Sequence, residues 1–549
     1  MTMLQTTLPI RSTSRLGNRS LLMVAMSLAG LGAPAVMAQT AASTAAPAAF
    51  SVAEPRLEIK KYLIDGVNPI SAAETTKLLA PFTGEQQALS QIEQAAMTLE
   101  KALKAEGFVF HRVFVPVQKP KDGEVTLQII QFTIDKVNVS GNDNFSTENI
   151  RRSMPTLLEG SVPDIRDIGA DLTAANSNPA KHVTVTFKES AKPDSIDAAV
   201  KVKDAKPLSY FVGYTGNLPA SGKNPDDSIS RVSAGFQHAN LFDRDHVASF
   251  SYTTDPTKID KVTLIGVYYQ FPVYGQGLNV SAYYTSSDIN SGAAAPGGPD
   301  VTGRGQFLGV RLSKSLPRTG PLSQTISVAI DDRHFESTLT NAIPGLPDQN
   351  VGSRPLSARY TFRRDEPWGN FGGNLEYAFN LEGGTANNGL NYQGQVLAPA
   401  DQKWQAWRFG LDGNYRTDQW LVSGRLRGQI SSNSLISGEK FSLGGANSVR
   451  GFADARVRGD SGYLVNIEGL GPEIWAPQLR PVLFLDGGEV NSNGFLSGVR
   501  ESLWSLGAGL RWSYQKFDFS ADLAYVLKAD SAETQKNPLR FHLAAFYRF

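Results

Sequence analysis

The sequence predicts a 16-stranded antiparallel transmembrane β-barrel preceded by two α+β repeats. Three observations carry this. Beyond residue 38 there is no run of eighteen apolar residues, so a helical membrane span is excluded. From residue 208 onward, segments of about ten residues alternate apolar and polar positions, the length a tilted strand needs to cross a bilayer. The connections between those segments run alternately long and short, as in a bacterial barrel with periplasmic termini. A soluble β-sandwich accounts for the alternating faces but predicts no long–short rhythm. In lipid every backbone polar group must be paired, so strands that span a bilayer must close on themselves.

The first 38 residues read as an address. Arg11, Arg15 and Arg19 give a basic leader, residues 21–31 are apolar, and Val36-Met37-Ala38 offers a cleavage site, so 1–38 is a signal peptide. Residues 39–56 are rich in Ala, Thr, Ser and Pro and read as a short disordered segment. The chain has no cysteine, which excludes a disulfide scaffold, a thiol nucleophile and a Cys-ligated metal. That composition suits passage through an oxidising periplasm. A net charge of +1 gives no reason to expect a nucleic-acid partner.

Residues 57–131 and 132–206 read as two copies of one β-α-α-β-β unit. In the first, 57–65 is a strand, and 71–82 and 89–106 are helices. The second helix sets Ile92, Ala95, Ala96, Leu99 and Leu103 on one face and stops at Gly107. Strands at 108–117 and 125–131 are joined by the turn signal Lys121-Asp122-Gly123. In the second copy, strand 133–139 precedes a helix over 147–154, which Ser146 caps. A helix from Asp164 to Ala175 and strands 182–188 and 196–202 complete it. A repeated order in adjacent segments strengthens both readings. The exposed edge of strand 108–117 could receive an extended client segment through backbone hydrogen bonds, with Phe108, Phe110, Val113 and Val115 adding apolar contacts. For any one of these four, core packing is the default role.

Lys206-Pro207 marks the boundary of the barrel, 207–549. Strands are expected to begin near Leu208, Ser228, Asp245, Asp260, Gly277, Gly305, Ser323, Leu356, Phe371, Lys403, Gln419, Gly462, Arg480, Ser502, Gln515 and Pro538. The last strand sends Phe541, Leu543, Ala545, Tyr547 and Phe549 to the lipid and His542, Ala544, Phe546 and Arg548 inward. Tyr547 and Phe549 resemble the C-terminal recognition signal of outer-membrane barrels.

The long connection 432–461 carries Gly438-Glu439-Lys440-Phe441-Ser442-Leu443-Gly444-Gly445, then Val449-Arg450-Gly451-Phe452. It is too long for a turn, and its Gly-rich stem lets it fold back into the lumen. Arg450 would then need an acceptor, because an unpaired buried guanidinium is costly. Asp486, on a lumen-lining strand, suits a bidentate pair. Gly451 frees the backbone, and Phe452 would anchor the tip. On chemistry alone, the favoured reading of Arg450 is an exposed basic residue of an extracellular loop.

Val449-Arg450-Gly451-Phe452 in this loop, with Phe484 and Asp486 two strands on, resembles the sixth-loop and barrel-wall motifs of two-partner secretion transporters (TpsB proteins, of filamentous haemagglutinin and haemolysin transporter type). Gly107-Phe108-Val109-Phe110, Val115-Pro116-Val117-Gln118 and Asp122-Gly123 are similar to the first periplasmic POTRA domain of that family, and Leu172, Asn176 and Pro179 to the second. The resemblance implies an outer-membrane pore that recognises a periplasmic exoprotein through its POTRA domains and secretes it. It implies a client of adhesin or haemolysin type, and outer-membrane lipids and the barrel-assembly machinery as further partners. It also implies a monomer without cofactor, metal or catalytic residues. The alternative within the superfamily is a barrel assembly or insertion factor. Many family members begin with a plug helix, which 39–56 does not resemble, so either the loop around Arg450 alone closes the pore or the pore is leakier than in relatives. A general porin leaves the paired α/β units unexplained. An enzyme is disfavoured because His111, His182, His238, His246, His334 and His542 form no nucleophile constellation. No Gly-x-x-x-x-Gly-Lys-Ser/Thr sequence is present, so client folding outside the cell is the expected energy source.

Overall fold

Helix periodicity builds the first unit. The chain runs β1 (Arg56–Ile59), β2 (Lys61–Asp65), α1 (Ala72–Leu79), β3 (Gly84–Ala88), α2 (Leu89–Ala105), β4 (His111–Phe114) and β5 (Glu124–Gln131) in the computed structural model. This structure describes residues 56–219, 229–257, 259, 263–287, 304–337, 350–395, 399–529 and 538–549. The expected signal peptide, residues 39–55 and the connection 290–303 lie outside the described residues. The buried face of α2 is Ile92, Ala95, Ala96, Leu99 and Leu103, packed on Ile59, Tyr62, Val125, Leu127 and Ile129. Gly107, at φ +97°, ends the helix as only glycine does cheaply, and the Phe108 N–H donates back to the Leu103 carbonyl at 2.9 Å. The main sheet has the order β2-β5-β4, with β2 parallel and β4 antiparallel to β5.

The strand over 57–65 is broken at Lys60, whose N–H turns to the Gly123 carbonyl at 2.7 Å, and β1 instead pairs with β3. No strand was expected at 84–88, because Gly-Glu-Gln-Gln-Ala has neither apolar alternation nor β-branched residues. The strand over 108–117 shrinks to the four residues of β4. Pro116 lacks an N–H to extend it on one side, and Phe108 and Phe110 turn towards the second unit on the other.

The second unit contains β6 (Thr133–Ser140), α3 (Thr147–Ser153), α4 (Ile165–Ala175), β7 (Lys181–Glu189) and β8 (Ser195–Asp204), with sheet order β6-β8-β7. Ser146 caps α3 by accepting from the Asn149 N–H at 3.0 Å, and Asp164 caps α4 by accepting from the Arg166 N–H at 2.8 Å.

The barrel strands are β9 (Leu208–Pro219), β10 (Ile229–Leu241), β11 (His246–Thr254), β12 (Thr263–Val273), β13 (Leu278–Ser287), β14 (Gly305–Ser315), β15 (Leu322–Phe335), β16 (Val351–Ser353), β17 (Pro355–Glu366), β18 (Gly369–Asn380), β19 (Gln405–Arg416), β20 (Leu421–Ile430), β23 (Ser461–Leu470), β24 (Leu479–Asn491), β25 (Arg500–Tyr514), β26 (Phe517–Lys528) and β27 (Leu539–Arg548). Between β20 and β23 a hairpin of β21 (Phe441–Leu443) and β22 (Val457–Gly459) stands outside the barrel sheet. Because β16 and β17 pair in succession with β15, they form one interrupted stave, and the closed antiparallel barrel has sixteen. Its seam is paired over nine residues, from Arg540↔Pro219 to Arg548↔Phe211. The Phe549 N–H and carbonyl continue it to Tyr210.

Strand period decides the faces. Leu375, Leu411, Ile467, Leu483, Leu506 and Leu523 remain exposed on the outside, where a soluble fold would bury them. Glu376, Gln429, Asp486, Asp522 and His542 point inward and are buried there.

Candidate functional site

Loop 432–461 folds back against the inner wall. The β21–β22 hairpin packs along β23 and β24, burying Leu443, Val449, Phe452 and Val457 against Leu464, Val490, Leu503 and Val526. Gly444, Gly445 and Gly451 hold φ values of +111°, +103° and +96°, so the tight returns at the loop tip depend on glycine. A Cβ on Gly444 would lie 2.4 Å from the Ala453 carbonyl.

This packing delivers Arg450 to an acidic pocket. Its Nε and Nη2 donate to the two carboxylate oxygens of Asp486 at 2.7 and 3.0 Å, a bidentate pair. Its Nη1 donates to Glu468 at 3.0 Å and to Asp522 at 3.1 Å. The guanidinium carbon lies 3.4 Å from the centre of the Phe484 ring, so both wall-motif residues touch it. The Arg450 N–H also donates to Asp486 (3.2 Å), and the Gly451 N–H donates to His542 Nε2 at 2.9 Å. Asn466 donates to the Ser448 carbonyl and to Asp486 at 2.7 and 2.8 Å. Phe452 is buried, its carbonyl accepting from Asn217 at 3.3 Å. Arg511 closes the pocket by pairing with Glu468 and Asp522. Arg450 is 6 % exposed and Asp486 0 %, which rules out a solvent-exposed arginine in an extracellular loop.

Sequence reading paired Arg450 with Asp486 but missed Glu468, Asp522, Arg511 and His542. They reach the pocket from β23, β26, β25 and β27, and only the strand register brings them together. The inward face of each strand was the available signal.

The four residues expected to form a client edge are placed differently from one another. Only Val113 lies in β4, and its side chain is in the core. Phe108 and Val115 pack against that core. Phe110 meets Phe187 of β7 edge-on at 4.7 Å, and Arg166 of α4 sits over the Phe108 ring at 5.1 Å. These two aromatics therefore join the two units. The β4 edge itself is covered at one point, where the outward Val113 N–H donates to Glu100 of α2 at 3.1 Å. At the C-terminus, Tyr547 pairs with Val212 across the seam, and the Tyr547 and Phe549 rings are exposed.

Two family profiles match the chain. The one described as haemolysin secretion/activation protein ShlB/FhaC/HecB covers residues 196–512, and the one described as POTRA domain, ShlB-type, covers 57–131. Among proteins of known role, the outer membrane transporter CdiB of Dickeya dadantii is 23 % identical over 481 residues, spanning 82 % of this chain and 80 % of its own. The CdiB of Escherichia coli is 21 % identical over 484 residues, covering 83 % and 76 %. The solved structure of CdiB from Escherichia coli superposes with a TM-score of 0.70 at 16 % identity, over 92 % of this chain and 93 % of that one. That of CdiB from Acinetobacter baumannii gives 0.67 at 16 % identity, over 90 % of each.

Proposed function

The chain belongs to the haemolysin secretion/activation protein family of ShlB, FhaC and HecB, and on that premise we propose that the loop held by Arg450 is the element its barrel uses to pass a polypeptide. The protein is an outer-membrane transporter of two-partner secretion, with its α/β units in the periplasm. Its partner is a secreted exoprotein.

The client is of adhesin or haemolysin type and is met first by the unit at 57–131. Residues 1–38 direct export, and Tyr547 and Phe549 present the barrel to the assembly machinery. The protein works as a monomer. The bidentate Arg450–Asp486 pair carries the loop mechanism, because it ties the tip of the loop to the wall in a desolvated pocket. Arg450→Ala leaves Asp486, Glu468 and Asp522 facing one another without their central cation. The expected outcome is loss of client release with the barrel still inserted and heat-modifiable. Secretion at the parent level by that variant overturns the proposal.

A further inference from the structure

The loop has a second buried ion cluster at its root, made with wall strands other than those that hold the Arg450 motif. Glu439 is 3 % exposed. Arg333 of β15 donates Nη1 to both its carboxylate oxygens at 3.0 and 2.9 Å, and Arg408 of β19 donates Nη2 at 2.8 Å. Ser353 of β16 donates its hydroxyl at 2.6 Å, and Gln429 of β20 donates to the Glu439 carbonyl at 2.9 Å. Asp331 and Glu376 balance the remaining arginine charge. Beside this cluster Leu435 and Ile436 are buried among Phe335, Val351, Tyr392 and Trp404.

The two ends of the loop thus bear opposite charge, and each is held by side chains of the other sign on different strands. The tip is a cation among the carboxylates of β23, β24 and β26, and the root is an anion among the arginines of β15 and β19. Placing either end on the other wall would set like charges together, so the pair of clamps fixes the orientation of the loop across the lumen. The root is also held by the apolar burial of Leu435 and Ile436 and by Gln429, which donates to the Glu439 and Asp460 carbonyls.

We propose that Glu439 is a positioning residue, the fixed root anchor that holds the loop so that Arg450 reaches its acidic pocket, and that the root stays in place while a client passes. The inference goes beyond the Arg450 proposal and uses the secretion assay it shares. Conductance in planar bilayers reports on the loop without a client.

The chain has no cysteine, so an introduced pair is free of background. Glu439→Gln keeps the shape and removes the charge. Its expected outcome is a several-fold loss of secretion and noisier single-channel current, with the barrel still heat-modifiable. Glu439→Cys combined with Ser353→Cys has the same defect until a thiol-specific bifunctional cross-linker spans the two positions, which restores secretion because a tether replaces the clamp. Parent-like secretion by a folded Glu439→Gln variant overturns the anchor. Cross-linking that leaves secretion at the level of the uncross-linked pair, or lowers it further, overturns the fixed root.

Discussion

The two α/β units share a β-α-α-β-β core, to which the first adds the β1–β3 pair, but they are attached in different ways. The second is mounted on the barrel through a buried polar network. Lys181 donates to Asp245 at 2.7 Å and to Asn149 at 2.9 Å. Asn178 donates to the Ala239 carbonyl at 2.7 Å, and Asn149 to the Asp243 carbonyl at 3.0 Å. Tyr274, from the next periplasmic turn, also donates to Asp245. The turn that receives these bonds holds Phe242, Asp243 and Asp245 at φ values of +59°, +52° and +61°, a left-handed path that non-glycine residues take at a cost. Burial draws the Lys181 ammonium below the ordinary lysine pKa, against the pull of Asp245. The first unit meets the second through Phe110 on Phe187 and Arg166 on Phe108. One unit is thus a fixed mount, and the other rests on a small aromatic joint.

Breaking the mount gives the largest expected effect. Lys181→Met leaves Asp245 buried with its cation gone, a change of about 3–5 kcal/mol for a desolvated pair. The expected outcome is that β7 and α3 become protease-sensitive in a barrel that still resists detergent. An unchanged digestion pattern would show that the mount does not depend on this pair.

The joint between the units is weaker, so the next effect is smaller. Phe110→Ala removes an edge-to-face contact of about 1 kcal/mol. The distance distribution between spin labels on cysteines replacing the exposed Met97 and Leu158 should broaden, while Lys181→Met on its own leaves the two units joined. A width unchanged by Phe110→Ala would remove the ring pair as the determinant of the joint.

The same contrast explains what was legible in the sequence. The buried face of α2 could be read residue by residue, because a helical period needs no partner to be visible. Barrel strands expected near Ser228, Arg480 and Gln515 begin at Ile229, Leu479 and Phe517, because strand period and turn residues are also local signals. Arg450 and Asp486 were found through their motifs. Glu468, Asp522 and His542 were not, since each lies on a different strand and the sequence alone gives no register. Glu439 was visible as part of the loop stem, but nothing near it in sequence announced Arg333 or Arg408. Phe108 and Phe110 precede β4 although the alternation extends the strand over them, because alternating apolar residues look alike in a strand and in a joint between domains.

The smallest expected effect concerns the outer edges of the two sheets, where the units differ once more. Val113 in β4 and Val183 in β7 are the third residues of their strands, and both turn their backbone outward. In the second unit Asn176 covers both groups, accepting from the Val183 N–H at 2.6 Å and donating to its carbonyl at 3.0 Å. In the first unit Glu100 covers only the N–H. A client strand adding to β4 therefore displaces one side-chain bond, and one adding to β7 displaces two. Burial pushes the Glu100 carboxyl up, but hydrogen bonds from Lys104 and Val113 outweigh it and leave its pKa lowered. A lowered carboxyl pKa means that the tie is complete above the ordinary glutamate value of about 4.3 and is lost as pH falls through the lower folded value. Amide-exchange protection across β4 should therefore be flat from neutral pH down to that range and fall below it, while protection across β7 follows no such step because Asn176 does not titrate. Glu100→Ala should remove the step and expose the β4 edge at every pH. Persistence of the step in Glu100→Ala would place the titrating group elsewhere.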